Sequence, residues 1–146
     1  LKGIIMALPN GAGGYQLGDG NLNETVLGYI ATPPTLTGVT TVTLTADQLE
    51  AGIIVANPGT TATAYVLPIV VTAGGVEGVN DVISSAKVGS TFGLTIVNIG
   101  TTTGDITITA GTGWTLVGAV VVNNETSAQF VARKTSDTTW TLYRTA

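Results

Sequence analysis

The sequence predicts an all-β protein, an antiparallel β-sandwich or a jelly-roll-like barrel, preceded by an extended glycine-rich N-terminal arm. Three observations carry this. The 146 residues include 27 Thr and 17 Val, β-branched types that suit a pleated, half-buried surface. Apolar and polar residues alternate with period two in several short runs. Between those runs lie glycine-rich or polar breaks, at the spacing of an all-β domain. The arm is expected over residues 1–35 and the β-body over residues 36–146.

In chain order, Pro9 to Asn23 carries Gly11, Gly13, Gly14, Gly18 and Gly20 with little periodicity, and Pro33-Pro34 follows. That stretch cannot bury enough apolar surface to fold alone. Leu8, Tyr15 and Leu17 are spaced within it like anchors. An arm laid along another protein and an unanchored terminus both fit this pattern. Leu1 to Ile5 lack the features of a signal peptide, and both Met6 and a residue upstream of it fit as the native start.

Thr41-Val42-Thr43-Leu44-Thr45 sets Val42 and Leu44 on one face and three threonines on the other. Ala46 to Glu50 reads as one helical turn with Thr45 as N-cap, leading into a strand over Gly52 to Ala56. Gly78 to Val88 is expected to form a short helix with Val79, Val82, Ile83 and Ala86 on one face. Strand patterns resume at Phe92 to Ile96, Asp105 to Thr109, Trp114 to Leu116 and Trp140 to Arg144. Breaks fall at Asn98 to Gly104, Ala110 to Gly113, Asn123 to Thr126 and Ser136 to Thr138. No internal repeat of fixed period and no second domain are visible.

Composition narrows the chemistry. The chain has no Cys and no His, which removes disulfides, thiolate nucleophiles, Ser-His-Asp and Cys-His triads and His-ligated metals. Charged residues are 10% of the chain, against roughly 25% in an ordinary domain. Five cations and a net charge of -4 argue against a nucleic-acid partner, because that affinity rests on phosphate neutralisation. Mean hydropathy is +0.44, yet no apolar run approaches the ~18 residues of a spanning helix, so no membrane partner is expected.

The remaining motifs are weak. Asp19-Gly20-Asn21-Leu22-Asn23 opens like an EF-hand loop, but Glu24 and Ile30 stand where the turn glycine and the bidentate Glu belong, so it reads as an Asx-rich turn. Gly11-Ala12-Gly13-Gly14 and Gly111-Thr112-Gly113 lack the strand-to-helix context of a phosphate loop, and the second reads as a hairpin turn. Asn23-Glu24-Thr25 and Asn124-Glu125-Thr126 match the glycosylation sequon by coincidence in a Thr-rich chain. Glu77 with Asp81, and Asp47 with Glu50, are the carboxylate pairs from which a hydrolase could be built. Aromatics are only 5% of the chain, and solvated charges are the favoured reading. No enzymatic activity, cofactor, metal or small-molecule substrate is expected.

Met6-Ala7-Leu8-Pro9-Asn10-Gly11-Ala12-Gly13-Gly14-Tyr15-Gln16-Leu17-Gly18-Asp19-Gly20-Asn21 resembles the opening of small structural proteins of tailed bacteriophages. The order of later segments is similar to phage virion β-domains found among head decoration, or cement, proteins. Those segments include Leu44 to Leu49, Gly52-Ile53-Ile54, Val66-Leu67-Pro68, Val88 to Phe92, Ile106 to Trp114 and Phe130 to Arg133. The resemblance implies a homotrimer on the outer surface of the capsid, bridging subunits of the major capsid protein. No residue-level binding motif carries over with it; within the arm, Leu8, Pro9, Tyr15, Gln16, Leu17, Asp19 and Asn21 are the expected capsid contacts. The alternative is a tail-fibre or baseplate β-domain that binds a host receptor or glycan.

Overall fold

Stretches of two to ten residues rich in Thr, Val and Ile produce ten strands in the computed structural model, which describes residues 28–146. The strands are β1 (Thr35–Thr37), β2 (Thr41–Thr43), β3 (Ile53–Asn57), β4 (Thr63–Val66) and β5 (Thr91–Asn98), then β6 (Ile106–Thr109), β7 (Trp114–Val117), β8 (Val121–Val122), β9 (Ser127–Ser136) and β10 (Thr139–Arg144). Two short helices interrupt them, α1 (Ala46–Glu50) and α2 (Val79–Val82). The fold is β-rich, as expected.

The strands form two mixed sheets. One has six strands in the order β1-β3-β5-β9-β10-β7, the other four in the order β2-β4-β6-β8. Up to β6, successive strands alternate between the sheets and run in opposite directions. A chain that crosses over after every strand re-enters each sheet in the same direction, so its neighbours are parallel. The pairs β1/β3, β3/β5, β2/β4 and β4/β6 are all parallel, as is β7/β10. This corrects the expectation of an antiparallel body: only β5/β9, β9/β10 and β6/β8 are antiparallel among the described residues. The hairpin expected at Gly111-Thr112-Gly113 is likewise an inter-sheet crossing, from β6 in the small sheet to β7 in the large one. A Cβ on Gly111 would sit 2.0 Å from the Leu67 carbonyl oxygen, so only glycine lets the two crossings lie this close.

The winding is regular in space but not in sequence. Thr35 lies beside Val55, twenty residues on, and Val55 beside Val97, forty-two residues on. In the small sheet the steps are twenty-three, from Thr41 to Ala64, and forty-three, from Ala64 to Thr107. The longer turn contains the excursion through α2, and this is why no fixed period is visible.

One hydrophobic cluster draws on both sheets. Ile54, Ala56, Leu94, Ile96, Phe130, Ala132, Trp140 and Leu142 come from the large sheet, and Tyr65, Ile106, Ile108 and Val122 from the small one. Leu49 of α1 and Val79 of α2 complete it and are fully buried. α1 forms where expected: the Thr45 hydroxyl accepts from the Gln48 N–H at 3.2 Å, and the Gln48 side chain accepts from the Thr45 N–H at 3.0 Å. α2 is shorter than the helix expected over Gly78 to Val88. Gly78 offers no side-chain cap, and Ile83 leaves the helical region at φ -109, ψ 59. Val82, Ile83 and Ala86 nevertheless pack on the core.

Candidate interface on the large sheet

Inward residues of the large sheet feed the core, so their sequence neighbours form its outer face. Register places Ile53 beside Thr95 and Gln129, Val55 beside Val97 and Ser127, and Val131 beside Tyr143, which lies next to Val117. Ile53, Val55, Thr95, Val97, Val131 and Tyr143 are half-buried merely by lying side by side, and Val117 is exposed. Of the outward strand positions only Arg133 is charged. Six strands about 4.8 Å apart span roughly 25 Å, giving a threonine-rich face of about 400 Å² with a single charge.

A solvated sheet normally shows polar residues on its outer face. Here Ile53-Ile54-Val55-Ala56 and Leu94 to Val97 are apolar, or nearly so, on both faces, the pattern of strands covered on both sides. That run was the sequence signal for this face, and alternation-based reading passes over it.

The expected capsid contacts Leu8, Pro9, Tyr15, Gln16, Leu17, Asp19 and Asn21 lie outside the described residues, as do the Asp19 to Asn23 turn and the first sequon. Asp47 and Glu50 lie on the single turn of α1, as expected, whereas Glu77 falls before α2 and does not share a helix with Asp81. Asp81 accepts a hydrogen bond from the Thr72 hydroxyl, whose oxygen also accepts from the Gly78 N–H at 2.9 Å. Glu77 instead shares a shallow depression with Asp47, beside Leu44, Val76 and Val82. No group of three metal-ligating side chains occurs among the described residues, nor is any of their helices long and apolar enough to cross a membrane.

Both tryptophans lie in the core. Trp140 stands edge-on to Phe92 at 5.4 Å between ring centroids and 6.1 Å from Trp114. Their indole N–H groups donate to Asn80 Oδ1 at 3.0 Å and to the Pro68 carbonyl at 2.7 Å. Neither is available to stack on a sugar.

At the far end of the winding, Asn98 is buried where β5 gives way to a loop. Its Nδ2 donates to the carbonyls of Gly104 and Val122, each at 2.9 Å, and its Oδ1 accepts from the Gly100 N–H at 2.8 Å. Asn98 therefore ties together β5, the following loop and β8, and its work is structural.

No protein-family model matches the chain, and no curated protein or solved structure matches it significantly.

Proposed function

We propose that this is a structural virion protein, a capsid decoration protein that binds the outside of a phage head and stabilises it by bridging major capsid subunits. The observation that carries the reading is the weakly charged outer face of the large sheet, where Ile53, Val55, Val97, Val131 and Val117 lie among threonines, taken together with the resemblance of the sequence to small phage virion proteins. Such a face costs less to desolvate than a charged one, since Arg133 is the single charge among its strand positions. Its area of about 400 Å² is half the ~800 Å² that each partner contributes to a standard interface. A homotrimer would present three such faces at once and gain the rest through avidity.

The body is read as a two-layer sandwich, because inward residues of both sheets meet in one cluster. Its sheets are wound in parallel up to β6 and closed by the antiparallel β9/β10 hairpin. In this reading rigidity is the product, and each decorated joint between capsid subunits costs more to open.

Immunogold electron microscopy of purified particles, with antibody against residues 40–146, tests the proposal. Gold over the head is the expected result. Gold confined to the tail would transfer the reading to the tail-fibre or baseplate alternative, and unlabelled particles would overturn both.

A further inference from the structure

Three of the four described cations are held by the body itself. Lys134 donates from Nζ to the Ala86 carbonyl at 3.0 Å, and Arg144 donates to the carbonyls of Val121 and Ala146. Arg133 lies on the outer face of the large sheet. Lys87 stands instead on an exposed turn, next to Val88, which is itself more than half exposed.

That turn is firmly built. The Ser90 N–H donates to the Lys87 carbonyl at 2.8 Å, and the Lys87 N–H donates to the Ser90 hydroxyl at 2.9 Å. Gly89 takes the left-handed position at φ 95, which glycine alone adopts without strain. Its N–H donates to the Lys134 carbonyl at 2.8 Å, and the Lys134 N–H returns to the Ser90 carbonyl at 2.9 Å. The turn is thus clamped to β9, and its backbone has little freedom left to lose on binding.

The complementary arrangement lies at the ends of β2 and β4. Two depressions adjoin there and share Thr43, Leu44 and the exposed Val76. One, of about 270 Å³, carries the exposed Asp47 and Glu77. The other, of about 410 Å³, is walled by Leu67, Pro68 and Ile69 and has no charge. No lysine or arginine lines either of them. Both are open to solvent, which suits a protruding turn better than a small molecule that must be enclosed.

We propose that a second copy of this chain fills these depressions. The Lys87-Val88 turn of one copy docks with its ammonium at Asp47 and Glu77 of the next, and Val88 enters the adjoining apolar hollow. The match is twofold: a cation beside an apolar side chain meets two carboxylates beside an apolar wall. Among the described residues, Lys87-Val88 is the one place where a cation adjoins a large exposed apolar residue in sequence. The two patches differ, so the contact is heterologous, and each copy offers one of each to its neighbours. The proposal does not rest on the virion reading.

Sedimentation equilibrium of the full chain, at concentrations up to about 0.5 mM, tests it. Self-association is expected, weakening as salt is raised. Lys87→Glu sets like charges against each other and should weaken association at least about tenfold, as should the pair Asp47→Lys, Glu77→Lys. All three substitutions in one chain restore opposite charges and should return association to within about threefold of the parent. Glu50→Lys, on α1 but outside the depressions, should leave it unchanged. The substituted side chains are all exposed, so the fold is kept. A parent chain that stays monomeric would overturn the proposal. So would association that survives both reversals, or that does not return in the triple variant.

Discussion

Replacing Asn98 with Ala removes a single side chain and strands two buried backbone groups. The Gly104 carbonyl loses its donor and the Gly100 N–H its acceptor, while the Val122 carbonyl keeps its ladder partner Ile106, and all three residues are buried. Each bond contributes about 1 kcal/mol net, and a buried polar group left unpaired costs a further ~1–3 kcal/mol. Water reaching part of the gap reduces the sum, so a loss of about 4 kcal/mol is expected. At ~2–4 °C per kcal/mol for a domain of this size, the midpoint falls by roughly 10 °C. Urea unfolding followed by the fluorescence of the two core tryptophans measures it directly. Asn98→Asp sharpens the test, because it keeps an acceptor for Gly100 but, when ionised, has no proton for the two carbonyls. It should be at least as damaging near neutral pH and partly recover in acid, where the protonated carboxyl donates one bond. A loss under about 1 kcal/mol for Asn98→Ala would refute the assignment of Asn98 as the clamp between β5, its loop and β8.

Thr45→Ala removes half of the capping box of α1 and should cost about 1 kcal/mol in the same unfolding assay, with Thr45→Ser nearly neutral. Gly111→Ala forces a Cβ against the Leu67 carbonyl and should cost about 3 kcal/mol or prevent folding; a stability equal to that of the parent chain would show that the crossings can separate. Burial pushes the Tyr65 hydroxyl above its ordinary pKa near 10, partly opposed by the Asn57 backbone, while the hydroxyl donates to the Leu36 carbonyl at 3.1 Å. The native state thus holds this proton more tightly than the unfolded chain, so its contribution is complete below about pH 10 and lost as pH rises beyond it. Urea midpoints between pH 8 and 11 should fall less steeply for Tyr65→Phe than for the parent. Val131→Glu puts a charge in the middle of the large sheet's outer face; it should change stability by about 1 kcal/mol or less and abolish attachment to particles, as scored by co-sedimentation.

Local chemistry was legible and pairing was not. Thr45 with Gln48 three residues later announces a helix start, and α1 begins there. Thr41 to Thr43, Ile106 to Thr109 and Trp140 to Arg144 announce strands, and strands form. Period-two alternation is the same for parallel and antiparallel neighbours, however, so nothing in Asp105 to Leu116 reveals that β6 and β7 belong to different sheets. Val79, Val82, Ile83 and Ala86 illustrate a second limit. Their spacing correctly marks residues that face the core, but a four-residue helix followed by an irregular turn presents them as well as a long helix does. Asn98 looks like the polar start of a loop, and its role exists only because Gly104 and Val122 fold back over it. Glu77 and Asp47, thirty residues apart, share a depression for the same reason.

The outer face of the large sheet follows from the winding itself. β3 and β5 are neighbours in the parallel stack, and both carry apolar residues at outward positions, so the register turns two separated short runs into one continuous surface. Ile53 meets Thr95 and Val55 meets Val97 because the crossings between them, although unequal in length, return the chain in the same direction and phase. A slip of one residue between β3 and β5 would turn Ile54 and Ala56 outward and empty the core beneath. Core packing therefore fixes the outer pattern as strictly as the inner one. That coupling gives a small, weakly charged chain a defined outer surface on its large sheet.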